Sequence, residues 1–142
     1  MNGVKQGGVL SPILFAVYLD PLLEEIHKSG IGCFMGGICG SAFAYADDVI
    51  ILTPTCKAMK KLIEICERYS DEFHLTFNPN KCFLMVFSDR DFDISNVKLR
   101  LRNESIQVVN NVRHLGHSIC SKGNIINFEE VVRDMQIKAN II

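Results

Sequence analysis

Residues 41–53 read SAFAYADDVIILT, and this stretch decides how the rest of the chain is interpreted. Two short apolar runs, Ser41–Tyr45 and Val49–Thr53, flank the turn Ala46–Asp48. Short apolar runs on either side of a polar turn predict a β-hairpin. Neighbouring side chains of an extended strand point to opposite faces, but at a hairpin tip the backbone turns and two adjacent carboxylates can face the same volume.

The two acids at this tip, Asp47 and Asp48, are the first candidates for chemistry. Two carboxylates ~4 Å apart repel by about 4 kcal/mol at an effective dielectric constant near 20. A divalent cation relieves that repulsion, and Mg²⁺ favours one or two carboxylates together with substrate phosphates. Such a site suits two-metal phosphoryl transfer. Aspartate is also a common turn residue without any further role, and this alternative stays open on the pair alone.

A helix is predicted on each side of the hairpin. The upstream one begins with Ser11 as cap and Pro12 in the first turn, is kinked or divided at Pro21, and ends at Ser29–Gly30. Its apolar residues at helical spacing are Ile13, Leu14, Val17 and Tyr18, followed by Leu22, Leu23 and Ile26. The downstream helix opens at Thr53–Pro54 and has one apolar face, formed by Met59, Leu62, Ile63, Cys66, Tyr69 and Phe73.

The rest of the chain predicts short strands and a final helix. The strands expected are Leu75–Phe77, Cys82–Phe87, Val97–Leu101, Ser105–Val109 and Val112–Cys120, with a turn at Asn78–Asn80 and a helix beginning at Phe128. Gly36–Gly37 predicts one more turn before the hairpin. Helices mixed with adjacent short strands predict an α+β fold, an antiparallel sheet covered by helices on one face.

Composition limits the classes of protein that remain. The chain has 142 residues, 15 Lys plus Arg against 16 Asp plus Glu, and is 48% hydrophobic, which excludes a disordered tail and allows one core. The formal net charge of −1 means that binding of nucleic acid needs local groups or a basic neighbour. The longest apolar run, residues 13–19, is too short to span a membrane, and no signal peptide precedes it.

Cysteine and histidine spacing does not predict a metal site. No CxxC pair occurs among the six cysteines, which favours small buried hydrophobes in a reducing, intracellular compartment. His114 and His117 could form a metal pair, but within one continuous strand this spacing places the two rings on opposite faces.

Four blocks in the order of a known family identify a resemblance. They are residues 3–15 (GVKQGGVLSPILF), 44–48 (AYADD), 75–82 (LTFNPNKC) and 113–116 (RHLG). The chain resembles the palm of a reverse transcriptase, an RNA-directed DNA polymerase, and is most similar to those of non-LTR (LINE-type) retrotransposons. The resemblance implies a palm over residues 1–120, incomplete at its N-terminus, and the start of a thumb-like helix over 121–142.

The resemblance also implies roles for individual residues. Asp47 and Asp48 would bind two Mg²⁺ ions and Lys81 would protonate the departing pyrophosphate. Gln6 and Gly7 would lie against template and nucleotide, at a helix N-terminus that suits phosphate. Tyr45 would pack beside the nucleotide, although a core position in the strand is equally compatible with its sequence. Leu115 and Gly116 would grip the primer.

The sequence departs from the family pattern in three ways that bear on the expected activity and stability of the chain. The third catalytic aspartate lies upstream of residue 3 in the family, and the basic fingers and most of the thumb have no counterpart here. His74 stands where many relatives have glycine. The isolated chain is therefore expected not to polymerise, to be marginally stable and to aggregate. The partners of the whole enzyme would be RNA template, DNA primer and dNTP. The expected location is intracellular and is left open between nucleus and cytoplasm, although the integration step of the family implies the nucleus. The alternative is a non-enzymatic retrotransposon remnant, a scaffold or a weak nucleic-acid-binding domain.

Overall fold

A computed structural model describes residues 9–88 and 97–121 of the chain. The two helices are α1 (Ser11–Lys28) and α2 (Cys56–Glu72), and a short 3₁₀ helix covers Pro79–Lys81. The strands are β1 (Phe34–Met35), β2 (Ile38–Cys39), β3 (Ala42–Tyr45), β4 (Asp48–Ile51), β5 (Phe83–Leu84), β6 (Arg100–Leu101), β7 (Glu104–Ser105), β8 (Gln107–Val108), β9 (Asn111–His114) and β10 (His117–Cys120). This content confirms the α+β class.

The described strands pair in twos rather than in the expected continuous sheet. β1–β2, β3–β4, β6–β7 and β9–β10 are successive pairs along the chain, each joined by a two-residue loop, whereas β5 and β8 pair in parallel. The strand expected at Leu75–Phe77 is wrong, and the one expected over Cys82–Phe87 shortens to two residues. Strands of two residues have too few ladder hydrogen bonds for their ends to be read from local sequence.

The chain divides into two compact units, which are described separately. The first contains residues 1–77 and 99–104, and the second residues 78–98 and 105–142. The sequence predicted a single core, so this division is a difference from the expectation. The proposed boundary between residues 120 and 121 stays a prediction, and the helix expected from Phe128 lies outside the described residues.

The core of the first unit is built by α1, α2 and one face of the β3–β4 hairpin. Its buried members are Leu19, Leu22, Ile26, Ala42, Leu62, Cys66 and Tyr69, with Val49 and Ile51 packed against them. The apolar face predicted for α2 is confirmed, because Leu62, Ile63, Cys66 and Tyr69 are buried while Lys57, Lys60, Lys61 and Glu64 are exposed. Thr55 caps this helix by accepting a hydrogen bond from the Ala58 amide.

The face predicted for the first half of α1 is wrong. Ile13, Leu14 and Val17 are exposed by 55% or more, whereas Leu19, Leu22 and Ile26 face the core. In this half of α1 apolar residues occur on all sides of the helix, so their periodicity does not predict which side is buried. Packing against α2 determines the buried side.

Two further expectations about α1 change. The helix continues through Pro21 without being divided, and its N-cap is Leu10, so Ser11 is already helical. A proline removes one backbone donor, but the ends of a helix are set by the whole run of hydrogen bonds rather than by that single group.

Aromatic contacts join the two helices at one end. The Tyr69 hydroxyl donates to the carbonyl of Tyr18 at 2.5 Å, and the Tyr18 hydroxyl donates to the carbonyl of Phe73. The rings of Tyr69 and Phe73 stack with centroids 4.3 Å apart. The hydroxyl of the buried Tyr69 thus has a backbone partner, which offsets the cost of burying it.

The start of β3 requires a glycine in the preceding loop. Gly32 has φ 133°, and a Cβ atom at this position would lie 1.9 Å from the Oγ atom of Ser41, which is fully buried. Ser41 accepts at its carbonyl from the Leu52 amide at 2.8 Å, so it closes the open end of the hairpin. The close approach of Gly32 and Ser41 therefore anchors the hairpin at the end opposite its tip.

Candidate active site

The tip of the β3–β4 hairpin is a two-residue loop, Ala46–Asp47. Tyr45 and Asp48 are direct partners across it, so Asp48 is the first residue of β4 and not part of a three-residue turn as the sequence suggested. Ala46 has φ 53°, whereas Asp47 has no positive φ, which is the pattern of a type II′ hairpin turn. The backbone twist of such a turn matches that of the strands, and this favours the tighter loop.

The register divides this hairpin into two faces. Ala42, Ala44, Val49 and Ile51 alternate onto the face that meets the core, and Phe43, Tyr45, Asp48 and Ile50 onto the other. Tyr45 is 66% exposed, so the alternative that it is a core aromatic is not supported. The Asp48 carboxylate therefore lies beside an exposed aromatic ring on the face directed away from the core.

Asp47 and Asp48 are both exposed, one in the loop and the other at the start of the strand. The structure therefore brings together three of the residues singled out in the sequence, the two acids and Tyr45. Carboxylate oxygens are the ligands that Mg²⁺ prefers, and this cation commonly takes one or two carboxylates and completes its shell with water and phosphate. The pair fits such a partial site, while no group of three or more His, Cys, Asp or Glu side chains gathers anywhere in residues 9–88 and 97–121.

Lys81 belongs to the second unit, at the end of the 3₁₀ helix, and is exposed. The Asn78 side chain accepts from the Asn80 amide at 3.0 Å, which closes the turn predicted at Asn78–Asn80. The next residue, Cys82, is half-buried; burial raises the pKa of its thiol, which donates to the Asn78 carbonyl at 3.2 Å. The lysine is therefore carried on a turn that hydrogen bonds hold on both sides.

Leu115 and Gly116 form the tip of the β9–β10 hairpin in the second unit, where His114 and His117 are direct partners. Both tip residues have positive φ, 50° and 82°, which is the pattern of a type I′ turn. A left-handed conformation costs a residue with a side chain roughly 1–2 kcal/mol. The Leu115 side chain is nevertheless 50% exposed, so burial of this side chain offsets little of the cost.

This turn corrects the interpretation of the two histidines. The strand expected over Val112–Cys120 is two strands, and residues opposite each other across a hairpin project from the same face. His114 and His117 are therefore on one face, not on opposite faces. The sequence signal for this turn was weak, because only Gly116 marks it and leucine is not a residue that type I′ turns favour.

Gln6 and Gly7 lie outside the described residues, so their placement against template and nucleotide stays a prediction. The roles assigned to Lys81, Leu115 and Gly116 also remain predictions. The contact that sequence reasoning missed is that of Arg102, whose guanidinium donates to the Ser70 hydroxyl at 2.8 Å and to Asp71 at 2.5 Å. The sequence signal for this contact was weak, since Arg102–Asn103 is the tip of a hairpin whose strands have only two residues each.

Comparison with known proteins bears directly on these residues. A family model described as reverse transcriptase (RNA-dependent DNA polymerase) matches residues 1–119. The chain belongs to the reverse transcriptase family. This reverse transcriptase segment contains the Tyr45–Asp48 tip, Lys81 and the Leu115–Gly116 turn within the matched region.

The curated relatives are polyproteins of R2 retrotransposable elements. The Pol polyprotein of the type-2 element R2DM of Drosophila melanogaster is 37% identical over 82 residues, which are 58% of this chain and 8% of that protein. Those of the type-1 elements R2 of Popillia japonica and Nasonia vitripennis are 35% and 31% identical, over 57% and 60% of this chain and 14% and 8% of theirs. The chain thus corresponds to a small part of each relative and is similar to reverse transcriptases of non-LTR retrotransposons.

No solved structure matches the chain significantly. Within residues 9–88 and 97–121, neither helix is long and apolar enough to cross a membrane.

Proposed function

We propose that this chain is part of the palm of a reverse transcriptase that adds deoxynucleotides to a primer 3′ end on an RNA template. The observation that carries the proposal is the pair Asp47 and Asp48, exposed at the tip of a hairpin whose other face is packed against the core. The match to the family over residues 1–119 supports the reaction class. Because the hairpin is packed against the core, the two carboxylates at its tip have a fixed position. There they can bind cations, which in turn bind phosphates.

Asp47 and Asp48 would hold Mg²⁺, and a third carboxylate would come from a strand upstream of residue 3. When bound, the two ions of such a site activate the attacking oxygen and stabilise the leaving group. Tyr45 contributes an exposed ring directly opposite Asp48, where a nucleotide can pack against it. With one ligand strand lacking, the 142-residue chain is expected not to polymerise.

The remaining residues would bind substrate or transfer a proton. Lys81, exposed on its turn, would protonate the departing pyrophosphate as a general acid. Gln6 and Gly7 would approach the phosphates with backbone amides before α1, since a helix N-terminus attracts anions. Leu115 and Gly116 would contact the primer strand. The partners are RNA template, DNA primer and dNTP, and the fingers and thumb of a longer polypeptide, with the nucleus as the proposed site of action.

The test is primer extension with a chimera in which residues 1–119 replace the matching segment of the R2DM polyprotein. We expect RNA-templated, Mg²⁺-dependent extension by the chimera and none by the 142-residue chain. Asp47→Asn should lower the rate by roughly a hundredfold or more, because it removes a carboxylate that would hold the Mg²⁺ ions, whose positive charge stabilises the reacting phosphates.

The matched control is Asp20→Asn, which makes the same change at an exposed acid of α1 and should leave extension unchanged. Equal activity of Asp47→Asn and the unmodified chimera would contradict the proposal. A folded chimera without any extension would favour the alternative, a retrotransposon remnant in which the acidic hairpin is only part of the fold.

A further inference from the structure

The two histidines of the β9–β10 hairpin form a pair that the polymerase reaction does not use. His114 and His117 are the last partners before the two-residue turn, and three further pairs continue the ladder to Asn111 and Cys120. Directly opposite residues of an antiparallel pair have Cβ atoms roughly 4.5–5.5 Å apart. Two imidazoles at this separation can bind one ion, since a zinc–nitrogen bond is about 2.0–2.1 Å long.

The surroundings of the pair suit a cation. His117 is exposed and His114 half-buried, so an ion can reach both rings from solvent. By the alternation of the strands, Val112 and Ile119 continue the same face, while the basic side chain of Arg113 belongs to the opposite one. Within this hairpin, no lysine or arginine therefore lies on the face of the two imidazoles.

The turn holds the two strands together before any ion binds. Leu115 and Gly116 have the positive φ angles of a type I′ turn, whose twist matches the strands, and so the two histidines are held in register. An arrangement that exists before binding lowers the ordering cost of the ligands.

We propose that His114 and His117 form a surface site for one divalent transition-metal ion of the Zn²⁺ type. Neutral imidazole suits Zn²⁺, Ni²⁺ and Cu²⁺, whereas Mg²⁺ requires oxygen ligands, so this site and the pair Asp47–Asp48 select different ions. Within residues 9–88 and 97–121 no third His, Cys, Asp or Glu side chain joins the pair, and in this proposal water would complete the shell. The bound ion links β9 to β10 and stabilises the hairpin, because binding free energy adds to that of the folded state.

The experiment is a titration of the 142-residue chain with ZnCl₂, followed by calorimetry and by two-dimensional NMR of the backbone amides. We expect one site per chain that includes the hairpin, with amide shifts concentrated in residues 111–120. His117→Asn should weaken binding at this site roughly tenfold or more while the hairpin amides keep their dispersion.

His27→Asn and His74→Asn are the matched controls, since both remove exposed histidines from the first unit and should leave the titration unchanged. Shifts centred on the five cysteines outside the hairpin, rather than on residues 111–120, would overturn the proposal. So would unchanged affinity in His117→Asn, or the absence of any binding. Primer extension plays no part in these readouts, so their failure is distinct from failure of the proposed function.

Discussion

His74 shows at the scale of one residue why the family pattern matters. It follows the last turn of α2 and has φ 55°, the left-handed conformation in which glycine is favoured after a helix end. The family resemblance implies glycine at this position, and the backbone conformation offers a physical reason, because a side chain here is strained. Histidine tolerates this region better than branched residues, but at a cost.

His74→Gly is therefore expected to raise the free energy of unfolding by roughly 0.5–1 kcal/mol, since relief of strain exceeds the entropy that glycine loses. Urea denaturation of the 142-residue chain measures this. His74→Ala retains a Cβ atom and should give no gain. Equal stabilisation by both variants would show that the histidine side chain, not its backbone conformation, is unfavourable.

Leu115 is strained in a similar way, and we also assign to this residue a contact with the primer. Leu115→Asn creates the Asn-Gly turn that type I′ hairpins prefer, so we expect about 1 kcal/mol of added stability. In the chimera, loss of the exposed apolar side chain should raise the KM for primer. Higher stability with unchanged KM would remove Leu115 from the proposed primer contact.

At the scale of elements, the contact between α1 and α2 depends on Tyr69. Its ring is 2% exposed and its hydroxyl donates to the Tyr18 carbonyl, so Tyr69→Phe leaves that acceptor without the bond. We expect a loss of about 1 kcal/mol near neutral pH. Burial raises the pKa of Tyr69 above its ordinary value of 10.0, with the nearby charges of Tyr18 and Glu72 as further causes.

The pH dependence of this effect has a definite sign. Because the folded-state pKa is the higher one, the unfolded chain loses the proton first as the pH rises above about 10. The stability contributed by Tyr69 is thus complete below pH 10 and is lost between that pH and the higher folded-state pKa. Denaturation of the unmodified chain and Tyr69→Phe at pH 8 and pH 11 should show a smaller difference at pH 11; a constant difference would contradict the assignment.

At the scale of the whole molecule, the first half of α1 has an exposed apolar stripe. Leu10, Ile13, Leu14 and Val17 are all at least 55% exposed and follow helical spacing. A contiguous apolar surface of this kind favours association in water. We therefore expect the 142-residue chain to form concentration-dependent oligomers or aggregates.

The double variant Ile13→Lys, Val17→Lys should reduce association, as measured by sedimentation at several concentrations. Glu64→Lys is the matched control, because it makes the same change in net charge on the exposed face of α2 and should leave association nearly as it was. A monomeric, cooperatively unfolding sample of the unmodified chain at micromolar concentration would contradict the expectation.

The sequence alone determined the features that depend on neighbours along the chain. The hairpin over residues 41–53, the apolar face of α2 and the turn at Gly36–Gly37 follow from alternation, helical spacing and turn chemistry, and all three are present in the structure. The family resemblance was likewise visible in short ordered blocks, because motifs in a fixed order can be recognised without knowledge of the fold.

Only the tertiary structure decided which face of α1 is buried, how many separate strand pairs form, and that Tyr45 and Asp48 share an open face. It also brought His114 opposite His117, where a single strand would have separated them. The physical reason is common to these cases. Local periodicity records that a residue is apolar or polar, whereas packing partners and strand register determine where it points. The register depends on the exact length and type of each turn, and the partner that buries one face of α1 is α2, a segment distant along the chain.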